Sequence, residues 1–417
     1  MKNVTYVQLE GENNYAILAP DQITFISNAS KKELEEVMEE VYEETKDIEI
    51  DKPNKLHVSL ALMPTYDCNL RCIYCYSQGG KTKETINFET AKKTIDYARK
   101  YNKEAKTLDL YLVGGGEPLL YIDKVKEIVE YADTVFKRVQ IHVVTNATFS
   151  PETRDWLIKR KANVRVSYDV VGQKKQRPFY NNKFSGVVVI NNIKELIAGG
   201  LEIIVQCIIT DDTVTKMREI VNELINLKVK VVKLEPCLIN DISRGTKQLQ
   251  PSAKDYANNL IDVIEYVANN ELDILIDTGY FTRPTTGNYC GMGDGNFVVT
   301  PEKMITSCVE VAKMQDPYSD IVMFGKITDE IEIDLKKQKF LKKLNYENQK
   351  GDCRTCNLRL ICLGGCPMAN IWENGFPLTK SNYTCMLEKI FLPKILSKIS
   401  QNENIIQVIM ENPVMKY

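Results

Sequence analysis

Six short apolar runs set the rhythm of the middle of the chain and constrain its fold more than any other feature. They are LHVSLALM (56–63), LDLYLVG (108–114), VQIHVVT (139–145), VRVSYDV (164–170), IIVQCIIT (203–210) and VKVVKLEP (229–236). Together they are rich in Val and Ile, the first two in Leu, and short enough to be buried parallel strands. Between and after them, apolar residues recur at helical spacing. The sets are Phe88, Ala91, Ile95 and Ala98; Val125, Ile128, Val129 and Ala132; Met217, Ile220, Val221 and Leu224; and Leu260, Val263, Ile264 and Val267. Each set predicts one apolar helix face. Alternation of this kind, six times over, predicts an α/β fold: a partial (βα)6 barrel around a parallel sheet. In such folds the chemistry lies at the carboxyl ends of the strands.

The flanks read differently. TYVQLEGENNYAILAPDQITFIS alternates like a hairpin or small meander, and KKELEEVMEEVYEETKD predicts one exposed acidic helix. After about residue 280 the alternation stops and seven cysteines follow in under a hundred residues. The sequence therefore divides into 1–54, 55–280, 281–386 and a tail, 387–417. No segment resembles a signal peptide, and no apolar run approaches the ~18 residues of a membrane span. A cytoplasmic location is expected, where thiols stay reduced. Twelve cysteines there point to metal or catalysis rather than disulfides. With only His57 and His142, imidazole-based zinc or serine chemistry is disfavoured. The balance of 54 Lys+Arg against 56 Asp+Glu gives no reason to expect nucleic acid as a partner.

Two cysteine groups carry the chemistry. Cys68, Cys72 and Cys75, spaced C-x3-C-x2-C, follow the first predicted strand. Three thiolates there can hold three irons of a cubane cluster and leave the fourth iron open. Zinc would need a fourth ligand, and no His or Cys lies nearby in sequence. Cys353, Cys356, Cys362 and Cys366 read C-x2-C-x5-C-x3-C, with Cys385 after them and Cys290 and Cys308 before. A zinc ribbon is the plain alternative for this second group.

CNLRCIYCY resembles the signature of the radical S-adenosylmethionine (SAM) enzymes, with the aromatic Tyr74 before the third cysteine. The resemblance implies that Cys68, Cys72 and Cys75 hold a [4Fe-4S] cluster whose open iron binds SAM. It further implies that Gly115, Gly116 and Glu117 of VGGGEP contact the SAM amino group. Thr145 and Asn146 of VTNAT stand where the family often has TNGT, with Ala147 in place of the glycine. VSYDV resembles SxDG, so Ser167 would bind the ribose, while Val170 replaces the glycine. Arg177 would meet the SAM carboxylate, and Leu234 would contact adenine through its backbone.

The C-terminal group is similar to the seven-cysteine SPASM domain. That likeness implies two auxiliary [4Fe-4S] clusters, making three in all. Cys290, Cys308 and Cys366 would hold the first, and Cys353, Cys356, Cys362 and Cys385 the second. GNFVVTPEKMITSC would be the hairpin carrying Cys308, with Lys303 at its usual turn glycine. Sulfatase maturases of this class carry a further cysteine where Asn296 stands and an aspartate where Val309 stands. The first auxiliary cluster is thus left with three protein ligands, open to a peptide thiolate or completed by Cys237 or another group. Cys207, inside a predicted strand, reads as a small buried hydrophobe.

The expected function is maturation of a ribosomally made precursor peptide. A 5'-deoxyadenosyl radical would abstract hydrogen, and a thioether or carbon–carbon crosslink would follow. A flavodoxin or ferredoxin would supply electrons. The N-terminal segment is either a shortened leader-peptide recognition element or a cap on the barrel. Two alternatives stand beside this: a sulfatase-maturase-like or other SPASM oxidoreductase acting on a protein or small molecule, and an iron–sulfur electron carrier. The sequence names no acid or base.

Overall fold

The computed structural model describes residues 3–19, 22–46, 56–279, 288–294 and 297–409. Asn296 and the sequence boundaries at 54/55 and 280 lie outside these residues. The chain forms two compact units: residues 1–52, 252–290 and 343–417, and residues 53–251 and 291–342.

The second unit contains the repeated pattern. Strands β4 (His57–Leu62), β5 (Thr107–Leu112), β6 (Arg138–Thr145), β7 (Asn163–Ser167), β8 (Ile203–Ile209) and β9 (Val231–Pro236) pair in parallel, each with the next along the chain. Helices α2 (Phe88–Tyr101), α3 (Ile122–Val135), α4 (Pro151–Lys159), α5 (Gly186–Ala198) and α6 (Met217–Asn226) fill the crossovers. The result is a partial (βα)6 barrel. Helix faces predicted from the sequence are buried, including Ala91, Ile95, Val125, Ile128, Ile220 and Leu224. On β4, β5 and β6 the burial alternates. Leu60 and Leu62, Leu108 to Leu112 at every second residue, and Ile141 and Val143 are buried, with half-buried residues between them. These three strands are therefore sealed on one face and only partly covered on the other, whereas β7, β8 and β9 each bury two or three consecutive residues. Polar residues occupy that second face: Asp109 accepts hydrogen bonds from His57 (3.0 Å) and His142 (3.2 Å), and Lys233 pairs with Glu235 (2.8 Å).

The expected hairpin is β10 (Val298–Val299) and β11 (Met304–Thr306). β10 joins the sheet beside β4, in parallel, and β12 (Met323–Ile327) and β13 (Ile331–Ile333) extend it antiparallel beyond β11. In the first unit, β1 (Thr5–Gln8), β2 (Tyr15–Ala19) and β3 (Gln22–Ile26) form an antiparallel meander. Helix α1 (Lys31–Thr45) packs Leu34 and Val41 against Val4 and Ile17. A capping box starts it, Ser30 and Glu33 each accepting the other's backbone N–H. The helix Ala253–Asn269, which carries the last predicted apolar face, belongs to this unit. So do the C-terminal cysteines, Cys353 to Cys385. Among the described residues no helix is long and apolar enough to cross a membrane.

Candidate active site

The loop after β4 holds Cys68, Cys72 and Cys75 in a tight curl. Its backbone is tied to neighbouring segments: Tyr66 N–H to Glu84 O (2.9 Å), Arg71 N–H to Pro178 O (2.8 Å) and Ile73 N–H to Gln176 O (2.9 Å). Tyr66 donates its hydroxyl to Ala312 O at 2.7 Å. Arg71 holds the curl from within, its guanidinium donating to the carbonyls of Cys68 (2.7 Å), Leu70 (2.8 Å) and Gly80 (3.3 Å). Gly80, at φ +81°, closes it with an N–H to Tyr66 O at 2.8 Å.

Each sulfur meets a donor from a different part of the unit. Asn146 Nδ2 donates to Cys68 Sγ at 3.9 Å, Arg177 Nη1 to Cys72 Sγ at 3.7 Å and Gly79 N–H to Cys75 Sγ at 3.3 Å. Burial pushes the Cys72 thiol up to about 11, against the pull of Arg177. Burial and the neighbouring thiols push Cys68 up as well. The bare Cys68 and Cys72 thiols are thus protonated at neutral pH, and metal binding must release those protons. Three cysteines whose sulfurs all face N–H donors fit a thiolate-bound iron–sulfur cluster, whose sulfurs take up such bonds.

The other sequence-predicted residues surround this loop. Gly114, Gly115 and Gly116 follow β5, and their glycine identity has a cause inside the protein. A Cβ on Gly115 would lie 2.8 Å from Thr65 O, and one on Gly116 would lie 1.9 Å from Asp67 O. The two strand-end loops therefore touch backbone to backbone. Glu117 is buried and accepts from Thr145 Oγ1 (2.6 Å), Asn146 N–H (2.6 Å) and Leu119 N–H (3.2 Å). Burial raises its carboxyl to about 7 in spite of those bonds. It joins the ends of β5 and β6. Asn146 also bonds Asn69 Oδ1 at 2.9 Å, linking the end of β6 to the cysteine loop. Ser167 ends β7 half-buried, and Leu234 is buried in β9. Arg177 pairs with the fully buried Asp169 at 3.0 Å and lies over the Tyr74 ring at 5.3 Å.

Asp169 and Arg244 were not singled out from the sequence, and both matter. Asp169 receives the hydroxyl of Tyr74, Gln176 Nε2 (2.7 Å) and Ile208 N–H (3.0 Å) besides Arg177. Its place inside VSYDV was the available signal. Arg244 donates to Cys72 O and Gly79 O, each at 3.0 Å, from the loop after β9. Only its position beyond a strand's carboxyl end could have marked it. Cys237, in the same region, is buried, and burial pushes its thiol up to about 12.

In the first unit, Cys353, Cys356, Cys362 and Cys385 line one pocket together with Lys380 and Lys389. Among the described residues no three His, Cys, Asp or Glu side chains are arranged to hold a single metal ion. A cubane differs in kind, because each thiolate takes its own iron and the cysteines wrap a pocket rather than meet at a point.

Residues 62–224 match the Radical SAM superfamily. This segment is a radical SAM domain, which implies a [4Fe-4S] cluster and SAM, and the match indicates an enzyme. More particular likenesses are to a named maturase and to two proteins solved with bound peptides. The mycofactocin maturase MftC of Mycobacterium tuberculosis is 22% identical over 349 residues, 77% of this chain and 81% of that one. The structure of anSMEcpe with bound AdoMet and the Kp18Cys peptide superposes with a TM-score of 0.67 at 18% identity, covering 83% of this chain and 98% of that one. SuiB of Streptococcus suis, solved with its precursor peptide SuiA, gives 0.59 at 14% identity, covering 92% and 99%.

Proposed function

We propose that this enzyme modifies a precursor peptide, using a SAM-binding cluster and two auxiliary clusters in a SPASM domain. The observation that carries the reading is the convergence of Cys353, Cys356, Cys362 and Cys385 on one pocket, in a chain whose radical SAM loop is complete. An electron carrier does not need six strand–helix units with Gly115, Gly116 and Glu117 at the end of β5. The likeness to MftC, to peptide-bound anSMEcpe and to SuiB with SuiA favours a peptide over a small molecule.

Cys68, Cys72 and Cys75 would hold a cluster that, with bound SAM and an electron from a flavodoxin or ferredoxin, would supply radical chemistry for taking hydrogen from a peptide residue. The chain's own residues hold and orient. Cys68, Cys72 and Cys75 hold the cluster, and Asn146, Arg177 and the Gly79 amide offset charge on its sulfurs. Gly115, Gly116 and Glu117 would receive the SAM amino group, Ser167 the ribose, Arg177 the carboxylate and the Leu234 backbone the adenine. Cys353, Cys356, Cys362 and Cys385 would hold one auxiliary cluster, and Cys290, Cys308 and Cys366 the other. The meander β1–β3 with α1 would engage the leader. The division into 1–54, 55–280, 281–386 and 387–417, and a cytoplasmic setting, belong to the same proposal. The product would be a thioether or a carbon–carbon crosslink, the remaining electron passing to an auxiliary cluster as the bond forms and a proton leaves.

The test is mass spectrometry of short peptides encoded beside the gene, incubated with reconstituted enzyme, SAM and dithionite. Loss of two hydrogens, with matching 5'-deoxyadenosine, is expected. A cysteine that no longer alkylates marks a thioether. Robust SAM cleavage with every such peptide unmodified would favour the small-molecule alternative.

A further inference from the structure

The loop after β9 clasps the cysteine loop at four points. Gln78 Nε2 donates to Ile242 O at 2.8 Å, and Arg244 N–H donates to Cys75 O at 2.9 Å. The Arg244 guanidinium reaches Cys72 O and Gly79 O, both at 3.0 Å. A Cβ on Gly245 would stand 2.7 Å from Ile73 O, so the two backbones are pressed together there. The clasp is preformed: Asn240 Oδ1 accepts from Ile242 N–H (3.1 Å) and Ser243 Oγ (2.8 Å), fixing the turn that presents Arg244.

Arg177 and Arg244 both stand beside Cys72, but they differ in charge balance. Arg177 is neutralised by Asp169 at 3.0 Å. Among the described residues Arg244 has only carbonyl acceptors, and no carboxylate pairs with it. Carbonyl acceptors orient a guanidinium without cancelling its charge.

We propose that Arg244 is a positioning residue that raises the reduction potential of the cluster on Cys68, Cys72 and Cys75, by keeping an unneutralised positive charge against its loop. The inference rests on the radical SAM assignment. An iron–sulfur potential depends on nearby charge, sulfur hydrogen bonds and solvent exposure. A fixed cation in a poorly solvated site favours the state with one more electron. The electron comes from a low-potential one-electron donor, dithionite in the test, which is oxidised as the cluster is reduced. A neutral side chain here should make the cluster harder to reduce.

The experiment is a redox titration of the full-length reconstituted enzyme, followed by electron paramagnetic resonance. The SAM-binding cluster is identified as the signal that SAM shifts. Arg244→Gln and Arg244→Met should move its potential negative, to a reduced fraction on the order of tenfold lower at fixed poise, or 59 mV for one electron. Arg244→Lys, which keeps the charge but loses the fork, should stay near wild type. Loss of this cluster in both neutral variants, with normal loading in Arg244→Lys, would also support a charge role. Equal potentials in all four proteins, or loss of the cluster in Arg244→Lys as well, would overturn it and leave Arg244 as a structural clasp.

Discussion

Ala147, Val170 and Lys303 each stand where the family resemblance expects glycine, and each has positive φ: +54°, +50° and +65°. The backbone conformation is kept while the residue that makes it easy is gone. Val170 is the most strained, since a β-branched side chain is disfavoured there by about 1–2 kcal/mol. It directly follows Asp169, the acceptor for Tyr74 and Arg177. Val170→Gly should relieve the strain at some cost in unfolded-chain entropy, for a net gain of about 1 kcal/mol. A melting temperature that falls would contradict this. Glu117 gives a second residue-scale expectation. Its carboxyl sits near 7 in the fold, against 4.5 ordinarily. As pH rises from 4.5 to 7, the unfolded chain gives up this proton before the folded one does. Stability should therefore fall across that window, by about 3 kcal/mol at most. Urea unfolding of the metal-free protein at pH 5 and pH 8 should show the drop in wild type and a smaller one in Glu117→Gln; equal drops would remove Glu117 as its source.

At the scale of elements, the strand ends were legible because the chemistry of the fold concentrates there. Glu117, Asn146 and Cys68 lie on three successive loops, and hydrogen bonds connect them. The strands themselves were visible as short runs rich in Val, Ile and Leu. Helix α5 was not named, because it begins with GVVVI, a β-branched run that is a poor helix signal. Its packing, through Val189, Ile193 and Leu196, overrides that propensity. The anchors Arg71, Asp169 and Arg244 escaped for another reason. Arg71 has local partners, but they are backbone carbonyls, which carry no residue-type signal; Asp169 and Arg244 reach groups remote in sequence, and such pairing leaves no local spacing to read. For the pocket of Cys353, Cys356, Cys362 and Cys385, a bound cluster would add to the stability that the buried Leu358, Ile361, Met368 and Leu387 give the surrounding segments. Cys353→Ala should lose about four irons and melt at lower temperature, with SAM cleavage in the absence of peptide retained. Full iron and an unchanged melting temperature would remove Cys353 as a ligand.

For the whole molecule, the six-fold alternation and the cysteine groups fixed what the chain could be, and the radical SAM match to residues 62–224 agrees with both. The two compact units were less legible: residues 252–290 group with both chain ends, an arrangement that long-range packing decides and local patterning does not record. Cys290 and Cys308 consequently fall in different units, although the sequence spacing reads as one series. The central claim is that Cys68, Cys72 and Cys75 hold the cluster that cleaves SAM, while other cysteines hold two more. The most direct measurement is iron content and 5'-deoxyadenosine formation in anaerobically reconstituted wild type and in the triple Ala variant of Cys68, Cys72 and Cys75. About twelve irons in wild type and about eight in the variant are expected, with deoxyadenosine formed only by wild type. Stoichiometric zinc without iron, or SAM cleavage that survives in the variant, would contradict the account.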